Sequence, residues 1–273
     1  MSYVITICIV NYNSSDFILN TLYCLEKITK NNYKVIIRDN NSKLKDFLNL
    51  KNNIKRYSNV ELYRVEEFSY KGSIAHGIAV NDLINKINTK YGVILDADCT
   101  FLYNNWDEIL INEINEKQPL IGVPGSEELG STRQSNFPIL ICVLFITEIL
   151  KKLQIDFRPK EKGEKLIDTG HELAIKFIEA GYKGKTLERR STRVYKSGPF
   201  RKFICAEFYL NGHRNIFGSH FGRGSTLGAA KYLKGWKKKI YLIPLIGSYL
   251  LKSKGKRERK GWIKVCKKLV NRK

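Results

Sequence analysis

The first half of the chain alternates short apolar runs, rich in β-branched residues, with longer amphipathic stretches. This succession is typical of strands and helices arranged around a largely parallel sheet. The runs VITICIV and KVIIRD fit strands that are covered on both faces. We therefore predict an α/β fold with a doubly wound, mostly parallel, Rossmann-like central sheet. In such sheets ligands bind beyond the carboxyl ends of the strands.

The positions of these elements follow from the same patterns. We expect strands near residues 4–10, 33–39, 60–65, 91–96 and 120–123, and helices near residues 15–28, 73–87 and 105–116. Farther along, the pattern predicts a helix at 169–180 that Gly181 ends as a C-terminal cap, with short strands near 182–187 and 202–209.

The net charge of +22 is concentrated near the C-terminus. Residues 231–273 contain 16 Lys or Arg and one acid, Glu258, whereas the first 230 residues contain 32 basic and 25 acidic residues. Because the composition changes so sharply, we predict one domain over residues 1–230 followed by a basic, partly apolar appendage over 231–273.

The cysteines and the first residues of the sequence indicate the cellular compartment in which the protein is expected. The six cysteines form no CxxC pair and lie mostly in apolar runs, which favours buried thiols under reducing conditions. The segment MSYVITICIV enters a strand pattern at once and does not resemble a secretion signal. We therefore expect a cytoplasmic protein.

Two carboxylates follow the predicted strand YGVIL, at Asp96 and Asp98. If the chain turns there, both can reach one cation, and Mg²⁺ or Mn²⁺ prefers such oxygen ligands while keeping positions open for phosphates. Two further strand ends carry polar groups. Asn11 and Tyr12 follow the first strand, and the Arg38 to Ser42 turn, with Asp39, follows the second. Each motif alone is also an ordinary turn.

The ordered set of these motifs resembles family 2 glycosyltransferases of the GT-A fold over residues 1 to about 125. Asn81 adds to the resemblance, since it stands fifteen residues before Asp96, a spacing usual in that family. The resemblance implies a nucleotide-sugar-binding half over 1–125, an acceptor-binding half over 126–230, and a Mn²⁺ or Mg²⁺ cofactor. It assigns donor contacts to Val10, Asn11, Tyr12, Asp39, Asn81, Asp96 and Ala97, with Asp98 as the principal metal ligand beside Asp96.

The expected general base is missing from its usual place. Many family members have a Glu-Asp pair at the start of the helix that here ends in Gly181-Tyr182, but this chain has Thr169-Gly170 there. The nearby acids are Asp168 and Glu172, which we take as the candidate bases. Asp168 is equally suited to cap the helix, and Glu172 to be a favourable charge in its first turn.

A later segment, His220 to Ser225, resembles a His-x-Gly-x-Gly-Ser loop that returns to the metal and diphosphate in some family members. His220 is then a third metal ligand and Arg223 a ligand for phosphate oxygens. His76, His171 and His213 have no comparable context in the sequence, and we assign them no function.

The implied reaction is inverting transfer of a sugar from a UDP or dTDP sugar to a hydroxyl group of a glycan or lipid-linked acceptor. The apolar run 240–251, flanked by Trp236, Trp262 and lysines, is too short to cross a bilayer of about 30 Å. It suits an element lying on the anionic inner face of a membrane, and equally a helix packed on the domain.

Two other functions compete with this reading. A nucleic-acid-binding protein would explain the net charge of +22, but the sequence contains no recognisable nucleic-acid-binding motif, so we expect no nucleic-acid partner. A sugar-nucleotide pyrophosphorylase would share the fold and the Asp-bound metal. It should have a glycine-rich phosphate loop after the first strand, and residues 11–16 contain no glycine.

Overall fold

The computed structural model describes residues 2–66, 70–125, 136–162, 165–167, 169–223 and 246–272. Its strands are β1 (Ile5–Asn11), β2 (Tyr33–Asp39), β3 (Val60–Arg64), β4 (Tyr91–Leu95), β5 (Cys99–Phe101), β6 (Leu120–Pro124), β7 (Pro138–Ile146), β8 (Lys160–Lys162), β9 (Lys165–Ile167), β10 (Gly184–Thr186), β11 (Glu188–Ser191), β12 (Ala206–Tyr209) and β13 (Ile216–His220). Its helices are α1 (Ser15–Ile28), α2 (Leu44–Asn53), α3 (Gly72–Asn85), α4 (Trp106–Asn112), α5 (Thr147–Lys152), α6 (His171–Glu179) and α7 (Ile246–Val270), with a 3-10 turn at Ile54–Arg56.

The central sheet has seven strands in the order β10-β6-β7-β4-β1-β2-β3. Among these strands only β7 is antiparallel to its neighbours, β4 and β6. The prediction of an α/β fold with a mostly parallel sheet is therefore confirmed. The carboxyl ends of β1, β2 and β4 lie on one edge, because these strands are paired in parallel register.

Alternate residues of the central strands pack into two separate cores. Ile7 and Ile37 belong to one core with α1, α4 and α7, whereas Cys8 and Ile36 belong to the other with α3 and α6. The sheet is thus covered on both faces, as the unbroken apolar runs predicted. All six cysteines are buried with free thiols, and burial raises the pKa of the Cys8 thiol to about 12.

A second, four-stranded antiparallel sheet, β11-β12-β13-β5, lies beside the motif that follows β4. Its strand β5 begins at Cys99, directly after Asp98, and pairs with β13 so that His220 stands opposite Cys99. This pairing brings the second half of the chain to the carboxyl end of β4.

The C-terminal helix α7 packs against α1 and contributes Trp262, Cys266 and Val270 to the core. Trp262 is completely buried, and its ring lies 5.7 Å from that of Phe17. Aromatic packing therefore holds Trp262 inside the protein and not at a membrane interface, which agrees with the alternative of a helix packed on the domain. Contact of other parts of this segment with a membrane stays a prediction. The domain boundary at residue 230 stays a prediction, and residues 224–245, with Trp236 and the first half of the apolar run, lie outside the described residues. No helix in the described ranges is both long and apolar enough to cross a bilayer.

Candidate active site

The chain turns sharply at the end of β4, where the sequence places its two carboxylates. The backbone N–H of Cys99 donates a hydrogen bond of 2.9 Å to the carbonyl of Asp96, which closes a tight turn over Asp96, Ala97 and Asp98. Asp96 is partly exposed and Asp98 is buried. The expected turn is present, so both carboxylates lie at the same end of the same strand.

The strand β13 and the residues after it close on Asp98. The Nε2 atom of His220 lies 3.2 Å from Oδ1 of Asp98 and 3.6 Å from Oδ2 of Asp96. The backbone N–H of Arg223 donates to Oδ2 of Asp98 at 2.8 Å, and that of Phe221 donates to the Asp98 carbonyl at 2.9 Å. Gly222, between them, has a φ of +74°, a conformation that glycine adopts without strain.

This arrangement fits a divalent cation. One ligand atom from each of Asp96, Asp98 and His220 lies within 4.8 Å of the other two. Carboxylate oxygens are the ligands that Mg²⁺ and Mn²⁺ prefer, and an imidazole can complete such a set. Three protein ligands fill only part of the coordination shell of such an ion, so positions remain for substrate oxygens.

The charges of the three residues also favour a bound cation. Burial opposes protonation of His220, but the neighbouring Asp98 and Asp96 carboxylates outweigh burial and raise the pKa of the imidazole. Two carboxylates close together favour a positive charge at this position, whether it is a proton or a metal ion.

His76 also faces the site, although no motif in the sequence singles it out. Its Nε2 lies 3.8 Å from Oδ1 of Asp96, and it is partly exposed on α3. Only the crossover that places α3 beside the carboxyl end of β4 brings the two residues together. No local motif around residue 76 could have indicated it.

The side chain of Arg223 is not placed to bind phosphate, contrary to the sequence prediction. It is 1% exposed, and its Nη2 lies 2.7 Å from Oε2 of Glu258 in α7. The same nitrogen donates to the carbonyl of Ile204, and the guanidinium lies over the Phe221 ring. Arg223 therefore contacts the site through its backbone N–H, whereas its guanidinium group faces α7 and pairs with Glu258.

Asn11 and Asp39 form a buried pair at the ends of β1 and β2. Nδ2 of Asn11 donates to Oδ1 of Asp39 at 2.7 Å, and both residues have no exposed surface. The other Asp39 oxygen accepts the backbone N–H of Ser42 at 3.1 Å. These contacts make the pair a brace for the two turns, so its predicted contact with a nucleoside stays a prediction.

The residues around this pair provide the open surface. Tyr12 is 53% exposed, and Val10 and Ala97 are partly buried. Asn13 and Asn41 both adopt a left-handed conformation, with φ of +54° and +53°, which asparagine tolerates better than most residues. The two turns thus place an aromatic ring at the carboxyl edge of the sheet.

Asn81 has a structural role in this arrangement. Its Nδ2 donates to Oδ1 of Asp156 at 2.9 Å, and its Oδ1 accepts the backbone N–H of Phe157 at 3.0 Å. Both ends of the amide therefore hold α3 to the segment that follows α5. These contacts do not support the predicted donor contact of Asn81, which stays a prediction.

Of the two candidate bases, Glu172 lies in the described residues and Asp168 lies outside them. Glu172 accepts the backbone N–H of Asp156 at 2.8 Å and is ion-paired with Lys160 and Lys176. Burial opposes its ionisation, but Lys160 and the Asp156 N–H outweigh burial and lower the pKa of this carboxyl. These contacts favour a structural role for Glu172, because a carboxylate held in this way is a weak base.

Comparison with known proteins adds a family and a fold. Residues 6–177 match the model of glycosyl transferase family 2. None of the curated protein sequences compared with the chain matches it significantly.

Solved structures resemble this chain at low sequence identity. A mannosyltransferase from Pyrobaculum calidifontis, solved with GDP-Man and Mn²⁺, has a TM-score of 0.52 at 16% identity, covering 68% of this chain and 55% of the other. Residues 1–349 of TarS from S. aureus give a TM-score of 0.45 at 15% identity, and the match covers 67% of this chain and 57% of the TarS chain. Glucosyl-3-phosphoglycerate synthase from Mycobacterium tuberculosis gives a TM-score of 0.46 at 13% identity, and the match covers 68% of this chain and 70% of the synthase. The chain thus spans just over half the length of the mannosyltransferase. At this sequence identity, the similarity shows a shared fold and nothing more.

Proposed function

Because this chain belongs to glycosyl transferase family 2, we propose that it is an inverting, metal-dependent hexosyltransferase. Its donor is a nucleoside diphosphate sugar of the UDP or dTDP type, and its acceptor is a hydroxyl group of a glycan or of a lipid-linked glycan. The observation that carries the proposal is the cluster of Asp96, Asp98 and His220 at the carboxyl end of β4. Polar and aromatic groups at the ends of β1 and β2 lie on the same edge.

Asp96, Asp98 and His220 would hold Mn²⁺ or Mg²⁺. When bound, such an ion neutralises the charge that develops on the leaving diphosphate. The mannosyltransferase of similar fold was solved with both GDP-Man and Mn²⁺, which supports the pairing of a nucleotide sugar with this cation. Tyr12 is exposed beside the turn and would flank the base of the donor.

Transfer also needs a group that takes the proton of the acceptor hydroxyl. We assign this role to Asp168 in preference to Glu172, whose carboxylate is engaged by Lys160, Lys176 and the Asp156 N–H. The acceptor oxygen forms its bond to the anomeric carbon while the bond from that carbon to the diphosphate breaks, and the proton passes to the carboxylate. Attack opposite the leaving group inverts the anomeric centre.

A lipid-linked acceptor would place the protein at a membrane, and α7 supports this. Its exposed face carries seven basic residues, Lys252, Lys256, Arg257, Lys260, Lys264, Lys267 and Lys268, which we call the basic stripe. Trp262 and Cys266 lie on the buried face. The stripe would therefore contact an anionic membrane by charge, with the core side of the helix unchanged.

Thermal unfolding with a panel of nucleotide sugars, with and without Mn²⁺, tests the proposal. A donor present at 100 times its dissociation constant should stabilise the protein by about 2.7 kcal/mol. We expect this only for UDP or dTDP sugars, only with the metal, and not in Asp98→Asn. Calorimetric titration with UDP plus Mn²⁺ and with short duplex DNA separates a transferase from a nucleic-acid-binding protein. Binding of DNA alone would overturn the proposal.

A further inference from the structure

The single acid of the basic C-terminal segment points into the protein. Among residues 231–273, Glu258 is the one acidic residue beside 16 Lys or Arg. Its side chain is 13% exposed, and Oε2 lies 2.7 Å from Nη2 of the buried Arg223. A buried guanidinium requires a compensating charge. Glu258 therefore compensates a charge that belongs to the segment closing on Asp98.

Residues 219–223 are held on two sides. On one side His220 and the Arg223 N–H contact the Asp98 carboxylate. On the other side the Trp262 Nε1–H donates to Oγ of Ser219 at 2.9 Å, and Glu258 pairs with Arg223. Glu258 and Trp262 are four residues apart in α7 and so share one face of that helix. The segment that carries His220 thus lies between the carboxylates and α7.

We propose that Glu258 and Trp262 are positioning residues for the metal site, so that α7 belongs to the site and sets its affinity for the cation. The inference rests on the metal-dependent function proposed above. Trp262 fixes the residue before His220, and Glu258 fixes the residue whose N–H binds Asp98. Partners of this kind orient the direct ligands of a metal, and their loss typically weakens metal binding.

Glu258→Gln removes the charge and keeps the shape of the side chain. The buried Arg223 guanidinium then lacks its counter-charge, so residues 221–223 must rearrange to reach water, and the Arg223 N–H leaves Asp98. The matched control is Arg259→Gln, at the next position of α7. Arg259 pairs with Asp16 of α1 at 3.1 Å, so this variant loses an ion pair that docks the helix without touching residues 219–223.

The measurement is the dissociation constant for Mn²⁺ without donor, by electron paramagnetic resonance of the free ion or by calorimetry. We expect Glu258→Gln to weaken binding about tenfold or more, and Arg259→Gln to change it less than about twofold. Equal losses in the two variants would assign the effect to helix docking alone and overturn the positioning role. Unchanged affinity in Glu258→Gln would also overturn it.

Trp262→Phe keeps an aromatic ring in the core and removes the N–H donor together with part of the indole ring. It is a second test of the positioning role if Glu258→Gln folds poorly. We expect it to weaken Mn²⁺ binding about threefold, the worth of one neutral hydrogen bond. Unchanged affinity in Trp262→Phe would overturn the role of Trp262. Wild-type and Asp98→Asn proteins are titrated alongside. If the wild type fails to bind Mn²⁺, both the proposed metal site and this inference are wrong. If the wild type binds Mn²⁺ and the Glu258→Gln and Trp262→Phe variants bind it equally well, only this inference is wrong.

Discussion

The backbone N–H of Arg223 donates a 2.8 Å hydrogen bond to Oδ2 of Asp98, which joins two residues that are 125 positions apart. The carboxylate pair at the end of β4 is therefore completed by the second half of the chain. Residues 1–125 alone would carry Asp96 and Asp98 but lack His220, one of the three groups within 4.8 Å of one another. We expect the metal site to require both halves.

Asp98→Asn should abolish metal-dependent transfer with little effect on folding. The amide keeps the size of the side chain and its oxygen can still accept the Arg223 N–H, but it loses the negative charge that binds a cation. We expect turnover at saturating donor to fall at least about a hundredfold, since such metal stabilisation is worth several kcal/mol. The temperature of unfolding without metal should change little. Normal turnover by this variant would contradict the metal assignment.

Asp168→Asn should lower turnover by roughly a hundredfold or more, the usual worth of a general base. Donor binding should be unchanged, because the base acts on the acceptor. The measurement is the rate of transfer at saturating donor and acceptor, with donor affinity measured separately by calorimetry. A normal rate would mean that the base lies elsewhere or that the substrate supplies it.

Glu172→Gln should affect stability more than turnover. Lys160 and the Asp156 N–H lower the pKa of this carboxyl in the folded protein despite its burial. A lowered folded-state pKa contributes stability above the unfolded pKa, and this contribution is lost as the pH falls through the folded value. We expect the variant to be about 1 to 3 kcal/mol less stable than the wild type near pH 7. The difference should shrink below about pH 4, the usual range of a glutamate carboxyl.

Urea unfolding of both proteins across this pH range checks the prediction. Glu179→Gln is a suitable control, since Glu179 is an exposed residue of the same helix. A stability difference that does not depend on pH would contradict the role of the ionised carboxylate. A hundredfold loss of turnover in Glu172→Gln, with unchanged stability, would instead restore Glu172 as the candidate base.

Much of the sheet could be predicted because its signal is local. The strands β1, β2 and β4 each contain an unbroken apolar run, and the carboxylates of the candidate metal site follow one of them. Helix α2 was missed although Leu44, Phe47 and Leu48 have the i, i+3, i+4 spacing of a helix. Only Leu50 of its ten residues is buried, so the helix lies on the surface and contributes little to the core.

The contacts of the site residues could not be predicted for a different reason, which is the distance along the chain between partners. The sequence shows that Arg223 is charged and follows a glycine, but its partner Glu258 lies in a helix beyond residue 245. Asn81 has the spacing of a donor-binding residue, yet Asp156 and Phe157 occupy both ends of its amide. A motif specifies which groups are present, whereas the fold decides which way each one faces.

The basic stripe of α7 should bind anionic vesicles by charge alone. Replacing Lys256, Lys260 and Lys264 by Glu reverses three of its seven charges on the exposed face. Each lysine near an anionic surface contributes about 1 kcal/mol, so we expect co-sedimentation with vesicles rich in phosphatidylserine to weaken at least about a hundredfold. Wild-type binding should also fall as salt rises, because such attraction is screened. The temperature of unfolding should stay near that of the wild type, since these side chains are exposed.

A control with the same change in net charge separates the stripe from general attraction. Lys45, Lys51 and Lys55 are exposed outside α7, and their replacement by Glu should leave most of the vesicle binding intact. If both triple variants lose binding equally, the net charge of +22 is responsible and the stripe has no special part. If neither loses it, the contact lies outside the lysines of α7, and the membrane assignment of this helix should be dropped.

Deleting the helix would not decide the question, because Trp262 and Cys266 are part of the core and their loss should destabilise the whole domain.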